Sequence, residues 1–152
     1  MNTPKILLRP AASEDVSFIF SSWLKSFRNS FFAKPIDNTV YFSEQHKLIE
    51  KLVKQAPVIM ACNPDDISQI YGFICAQRIE GVFCLHYLYV KHSFRKLGIG
   101  RALVNSFEHD SSSAGVYTHH TACGEILKHK FNLVYHPYIL STGYLKEVDC
   151  EQ

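Results

Sequence analysis

The chain has 152 residues, of which 47% are hydrophobic and 20% are charged, and its net charge is +2. This composition is typical of a globular protein with its own core, and we expect a single domain over residues 1–152. The small net charge argues against a protein whose main task is to bind nucleic acid. No apolar run approaches the roughly 18 residues of a transmembrane helix and no signal-peptide pattern is visible, so no membrane role is expected. Five scattered cysteines indicate a reducing cytoplasm.

Hydrophobic periodicity predicts an alternation of strands and helices along the chain. Ser13 and Ser43 are the expected N-caps of the first two helices, because polar and acidic residues follow them. Pro35 and Asn38 are expected to keep the connection between these helices irregular. We expect strands over residues 6–9, 57–62, 69–79, 82–90, 116–120 and 134–140, the last interrupted by Pro137, and helices over residues 13–27, 43–55, 98–107 and 122–130.

The most informative stretch, LHYLYVKHSFRKLGIGRALVNSF, covers residues 85–107. It predicts a strand, a basic loop and an amphipathic helix, with Gly98 and Gly100 between loop and helix. Backbone N–H groups at a helix start bind anions, and glycines let a ligand come close to them. Arg95, Lys96 and Arg101 add positive charge. The stretch therefore predicts a phosphate or pyrophosphate site, the alternative being a turn that the glycines merely permit.

The residues Arg-Lys-Leu-Gly-Ile-Gly at 95–100 resemble the R/Q-x-x-G-x-G/A signature of the GNAT (GCN5-related N-acetyltransferase) superfamily. The preceding Leu-Tyr-Val at 88–90 resembles the strand that enters this motif, and the predicted element order is similar over most of the chain. Two further segments, SSWLKSFRNSF and VYHPYIL, look like bacteriophage members. The resemblance implies an α/β (α+β) GNAT fold whose mixed central sheet, flanked by helices, splays open to take up the pantetheine arm of acyl-CoA.

The implied activity is N-acyl transfer from acetyl-CoA, as co-substrate, to an amine by direct attack in a ternary complex. The acceptor is a small molecule or a protein, a homodimer is compatible with the sequence, and neither a metal nor a membrane partner is expected. The implied cofactor-binding residues are Leu88, Tyr89, Val90, Arg95, Lys96, Leu97, Gly98, Ile99, Gly100 and Arg101.

The chain departs from the family at the catalytic positions. The tyrosine that many members use as general acid falls on Lys128, and the glutamate that some carry on the motif strand falls on Cys84. Histidines are suitable bases because their pKa lies near 6.5, and His86 is expected on the same face of its strand as Cys84 and Leu88. The remaining candidates for proton transfer, each with packing as the alternative, are His86, His119, His120 and Tyr135.

The aromatic segment at residues 21–42 is where the fold implies an acceptor pocket. Trp23 and Arg28 are the candidate substrate-binding residues, with a hydrophobic lid as the alternative. A metal site is not expected, because the possible ligands lack tight paired spacing; they are Cys84, His86, His119, His120 and Cys123.

Two alternatives to an active N-acyltransferase stay open. The first is a GNAT-fold protein that binds CoA or a partner without catalysis, as the missing tyrosine and glutamate suggest. The second is a phage-type acyltransferase that modifies nucleic acid, which would require a basic, aromatic face around Trp23, Lys25 and Arg28 and salt-dependent binding.

Overall fold

A mixed six-stranded sheet runs through the computed structural model, which describes residues 4–121 and 124–141. The strands are β1 (Leu7–Pro10), β2 (Val58–Asn63), β3 (Asp66–Ile79), β4 (Val82–Val90), β5 (Gly115–Tyr117) and β6 (Leu133–Tyr135). The helices are α1 (Val16–Phe27), α2 (Asn38–Gln55), α3 (Ile99–Asn105) and α4 (Gly124–Phe131). The predicted order of elements is confirmed.

The strands lie in the sheet in the same order as in the sequence. The first four are joined antiparallel, whereas β4, β5 and β6 are parallel neighbours. Parallel strands need a crossover connection, which α3 and α4 supply here. Strand β4 is therefore antiparallel to β3 and parallel to β5. It leads into the loop that contains Gly98 and Gly100, which we call the glycine loop.

Two apolar layers cover the sheet. On one face, α1 and α2 bury residues such as Trp23 and Ile49 against Phe73 of β3. On the other face, Leu103 of α3 packs with Ile74. Apolar residues on one side of each helix and on both sides of the central strands produce this three-layer arrangement, since each apolar face must be covered.

The predicted starts of the first two helices were wrong. Ahead of α1, a 3-10 turn over Ser13–Asp15 intervenes, and the Asp15 carboxylate, not the Ser13 hydroxyl, accepts from the Ala12 N–H at 2.8 Å. The guanidinium of Arg9 also binds this carboxylate, at 2.6 and 3.0 Å, and holds the Asp15 pKa below its usual range.

Helix α2 begins at Asn38, well before the expected cap at Ser43, because the Asp37 side chain accepts from the Thr39 N–H at 3.0 Å. An N-cap carboxylate of this kind compensates one of the unpaired amides of the first turn. Asn38, which we expected to keep the connection between the two helices irregular, is the first residue of α2.

Two strands are shorter than predicted. Strand β5 ends at Tyr117, so His119 and His120 lie beyond it, and β6 gives way to a 3-10 helix over Pro137–Ser141. Pro137 ends the strand because proline has no N–H to donate to a neighbour. In the part of the chain that the structure describes, no helix has the length and apolarity to cross a membrane.

Candidate active site

Strand β4 has a paired half and an open half. Cys84 and Leu85 pair with β5, and the last hydrogen bond between the two strands runs from the Thr118 N–H to the Leu85 carbonyl at 3.1 Å. Beyond it, β4 continues to Val90 with β3 as its only neighbouring strand among the described residues. The expected splay in the sheet is confirmed, and it opens at Leu85.

A β-bulge at His86 marks the start of the open half. Tyr87 pairs with Cys75 of β3 and Leu85 pairs with Ala76, which leaves His86 as an extra residue. A bulge bends its strand and resets the alternation of side chains. Consequently Leu88 packs with the α3 layer and does not share the face of Cys84, contrary to the expectation for these two residues.

A cavity of about 420 Å³ lies beside the open half of β4, past the end of β5. Its wall combines the open half of β4, the glycine loop and the start of α3, with Phe131 of α4 opposite. Of the residues expected to bind the cofactor, all except Leu97 line it: Leu88, Tyr89, Val90, Arg95, Lys96, Gly98, Ile99, Gly100 and Arg101.

The glycine loop presents unpaired amides to this cavity. Gly98 has a φ of +84° and precedes the helix, whose first hydrogen bond runs from the Ala102 N–H to the Gly98 carbonyl at 3.0 Å. The amides ahead of Ala102 therefore have no acceptor within the helix. A Cβ on Gly100 would lie 3.6 Å from the nearest atom, a methyl of Leu88, so space remains above this residue. The arrangement suits an anion that touches the backbone.

Two hydroxyl groups meet where the cavity borders α1. The Tyr87 hydroxyl lies 2.5 Å from the Ser26 hydroxyl, and both residues line the cavity. The Tyr87 ring is stacked on Trp23 with 4.7 Å between the ring centroids, which fixes its position. No local sequence pattern predicts this pair, because the two residues lie on different elements, 61 positions apart.

His86 and His119 belong to a buried polar network, which we define as Gln77, His86, Thr118, His119 and Gln45. The Thr118 hydroxyl lies 3.0 Å from Nδ1 of both imidazoles. The two Nε2 atoms lie 2.7 Å and 3.0 Å from the side-chain amides of Gln77 and Gln45, respectively. If both amides donate, both imidazoles are neutral Nδ1–H tautomers that donate to Thr118. The network joins β3, β4, α2 and the segment that follows β5 at the point where the splay begins.

Burial keeps the two imidazoles of this network uncharged. His86 is 1% exposed and His119 is 6% exposed. Desolvation lowers the pKa of His86 to about 4 and that of His119 to about 3. Neither residue lines the cavity, so the geometry gives both a structural position behind the wall of the site.

His120 and Tyr135 lie close together at the ends of β5 and β6. Their ring centroids are 5.4 Å apart, and His120 Nδ1 lies 3.1 Å from the Tyr117 hydroxyl. Tyr135 is 40% exposed, and partial burial raises the pKa of its phenol. Neither side chain lines the cavity, although the neighbouring Thr121 does.

The two expected substrate-binding residues have structural contacts. The side chain of Trp23, a residue of α1, is fully buried. Arg28 donates to the carbonyls of Ala33 and Ile36, at 2.6 and 2.7 Å, and so holds the connection between α1 and α2. Because Asn38 Oδ1 also accepts from Arg28, at 2.9 Å, this guanidinium is occupied at its own loop.

The possible metal ligands do not converge in the described part of the chain. No group of three or more His, Cys, Asp or Glu side chains with the geometry for a metal ion is found there, and Cys123 lies outside the described residues. Burial raises the pKa of the Cys84 thiol to about 12, so this thiol stays protonated and behaves as a small core side chain.

The family profile described as "Acetyltransferase (GNAT) domain" matches residues 55–132. Similar solved structures include a putative acetyl transferase from Pyrococcus furiosus (24% identity, TM-score 0.52, 68% of this chain and 72% of that chain). A second is the paia N-acetyltransferase from Thermoplasma acidophilum in complex with coenzyme A (21%, TM-score 0.51, 68% and 70%). A third is apo YjaB from Escherichia coli (22%, TM-score 0.48), of which the match spans 63% while covering 67% of this chain. The search of curated proteins finds no match.

Proposed function

Because the chain belongs to the GNAT family of acetyltransferases, we propose that it transfers an acetyl group from acetyl-CoA to an amine. The observation that carries this proposal is the cavity at the open half of β4, one end of which is formed by the unpaired amides of the glycine loop. The Thermoplasma relative of the same fold was crystallised with coenzyme A, which agrees with this choice of co-substrate.

The cavity has candidate partners for the pyrophosphate, the pantetheine arm and the reacting carbonyl of acetyl-CoA. The pyrophosphate is assigned to the amides of residues 98–101, with Lys96 and Arg101 as neighbouring cations. The open edge of β4 has backbone groups that β5 does not pair, and these are assigned to the pantetheine amides. A backbone N–H of the same edge is the proposed donor to the oxyanion of the tetrahedral intermediate.

The reaction removes two protons from an alkylammonium acceptor and gives one to the CoA thiolate, so one proton is released. The alkylammonium, with a pKa of about 10.4, must lose its first proton before its nitrogen attacks the thioester carbonyl. The nitrogen of the tetrahedral intermediate then loses the second proton, the intermediate collapses with cleavage of the carbon–sulfur bond, and the CoA thiolate takes a proton. We assign the donation of that proton to the Tyr87 hydroxyl, because it lines the cavity and the Ser26 hydroxyl 2.5 Å away can replenish it. His120 and Tyr135 remain candidates for the removal of the amine proton.

The role of Tyr87 is tested by the substitution Tyr87→Phe, which keeps the ring stacked on Trp23 and removes only the hydroxyl. Proton transfer by a positioned side chain is worth about 10²–10⁴-fold, so we expect kcat to fall at least tenfold while the Kd for acetyl-CoA stays within twofold. Tyr138→Phe, on an exposed ring, is the matched control. A kcat unchanged in the Tyr87 variant would remove this residue from the mechanism.

The activity itself is tested by thiol release from acetyl-CoA in the presence of a panel of primary amines. We expect release that depends on the amine and on the enzyme. Tight binding of acetyl-CoA without release on any amine would contradict the proposed transfer and would favour a CoA-binding protein that lacks catalysis.

A further inference from the structure

A second cavity, of about 410 Å³, adjoins the first along the outer surface of α1. We call it the serine groove and define it by Phe18, Ser21, Ser22, Lys25 and Ser26. The two cavities share Ser26, Tyr89 and Arg95. A molecule in the serine groove can therefore extend, past the hydroxyl pair of Ser26 and Tyr87, into the cavity assigned to acetyl-CoA.

The floor of the groove is aromatic and its walls are polar. The rings of Phe18 and Tyr89 meet edge to face with their centroids 6.2 Å apart. Ser21, Ser22 and Ser26 of α1 line the groove; the Ser22 hydroxyl already donates to the Phe18 carbonyl at 2.6 Å, and the Ser26 hydroxyl pairs with Tyr87. A short alkyl chain suits such a floor, and hydroxyls suit a polar end group.

The charges of the groove have one sign. Lys25 and Arg95 line it, and the ammonium of Lys91 lies 5.2 Å from the centre of the Phe18 ring. Among the described residues that line the two cavities there is no Asp or Glu. An acceptor that carries several amines would be repelled, whereas one that carries an anionic group would be attracted.

Arg95 and Lys25 differ in their positions relative to the two cavities. Its Nε donates to the Val90 carbonyl at 2.9 Å, so this guanidinium is held at the junction of the two cavities. Lys25 lies in the serine groove alone and not in the first cavity. Lys25 is therefore the cation available to the acceptor, whereas Arg95 is shared with acetyl-CoA.

We propose that the serine groove binds the acyl acceptor, and that this acceptor is a primary amine bearing a carboxylate or phosphate group that Lys25 holds. This inference rests on the proposed acetyl transfer and narrows its acceptor class.

The test compares matched acceptors that differ in one charge. The probes are 4-aminobutyrate with its neutral amide, and phosphoethanolamine with ethanolamine, each assayed by thiol release at saturating acetyl-CoA. In the unaltered protein we expect kcat/KM at least tenfold higher for an anionic member than for its neutral partner. The pair that shows the larger ratio distinguishes a carboxylate from a phosphate.

The substitution Lys25→Gln should raise KM at least tenfold for the preferred anion, since a charge-assisted contact is lost. It should leave the KM for the neutral acceptors and the Kd for acetyl-CoA within twofold of their values in the unaltered protein. Lys47→Gln, which removes an exposed lysine from α2, is the control and should change nothing. A raised Kd for acetyl-CoA in Lys25→Gln would overturn the inference, because Lys25 would then serve the CoA phosphates.

The inference and the proposed function fail in different ways. Thiol release with equal preference for anionic and neutral acceptors would overturn the inference and leave acetyl transfer intact. Should no amine release thiol, the same probes are titrated calorimetrically into the CoA-loaded protein. Tighter binding of the anions, lost in Lys25→Gln, would support the groove without catalysis, and no preference would overturn it.

Discussion

The two halves of β4 belong to one continuous strand and have different surroundings. Cys84 and Leu85 are paired with β5 as well as with β3, whereas residues 87–90 have β3 on one side and a cavity on the other. The buried polar network lies at the boundary. The comparison indicates that the position of one bulge and one short strand, β5, decides where a continuous sheet becomes a binding site.

Blocking the open half should have the largest effect. Gly100→Asp places a side chain and a negative charge at the amides that we assign to pyrophosphate, and an acid in the first turn of a helix does not oppose folding. We expect the affinity for acetyl-CoA to fall at least 100-fold, which is about 2.7 kcal/mol, with an unchanged circular dichroism spectrum. Asn105→Asp adds the same charge at the other end of α3 and should bind normally. Equal affinities of the two variants by calorimetry would contradict the assignment of the loop.

Low pH should destabilise the fold through the buried polar network, which lies at the boundary between the two halves of β4. His86 and His119 have folded-state pKa values of about 4 and about 3, below the value of about 6.5 for an exposed imidazole. The unfolded chain therefore binds these protons first, so stability is highest above pH 6.5 and falls as the pH decreases toward 4. Each histidine contributes a slope of up to about 1.4 kcal/mol per pH unit.

Urea unfolding at pH 7 and pH 5 measures this loss. His119→Gln should reduce the slope, and His92→Gln, at an exposed position, should not. A free energy of unfolding that is equal at both pH values would show that the two imidazoles do not stay neutral in the fold.

Removal of the central hydroxyl of the network tests the same boundary at constant pH. Thr118→Val preserves the shape of the side chain and deprives both Nδ1 atoms of their partner. Leaving a buried donor unpaired costs about 1–3 kcal/mol, which urea unfolding at pH 7 detects. Thr39→Val, at an exposed helical position, is the control. A loss no larger than that of the control would mean that Thr118 does not hold the network together.

The smallest expected effect separates the two glycines of the loop. Gly98→Ala forces a Cβ into left-handed backbone and should lower the free energy of unfolding by about 1 kcal/mol. Gly100→Ala meets no such strain, so it should leave stability unchanged and weaken acetyl-CoA binding about tenfold, or about 1.4 kcal/mol. Both variants are measured by urea unfolding and by calorimetry. A loss of stability in Gly100→Ala together with a loss of affinity in Gly98→Ala would refute these separate roles.

The order of elements and the glycine loop were predictable because they depend on local signals. Apolar spacing defines each helix and strand, and Gly98 and Gly100 stand out between them. The bulge at His86 was not predictable, because LHYLYV has the regular alternation of an undisturbed strand. The start of α2 was missed because Asp37 and Ser43 are both good N-caps and only the fold selects between them.

The remaining site residues depend on tertiary geometry. The sequence shows Arg28 only as a cation in an aromatic segment, which makes it a candidate for substrate binding. It gives no sign of the two carbonyls of the loop to which Arg28 donates. Ser26 and Tyr87 belong to different elements, 61 positions apart, and no local pattern connects them. Sequence patterns report what one element does, whereas the hydroxyl pair and the serine groove arise where two elements meet.

The central claim, that the open half of β4 binds acetyl-CoA, is tested most directly by calorimetric titration of the protein with acetyl-CoA, CoA and the dinucleotide NAD. We predict micromolar binding of acetyl-CoA and CoA at one site per chain, and no heat from NAD. The absence of binding by acetyl-CoA and CoA would contradict the claim and would mean that the glycines of the loop serve only the turn into α3.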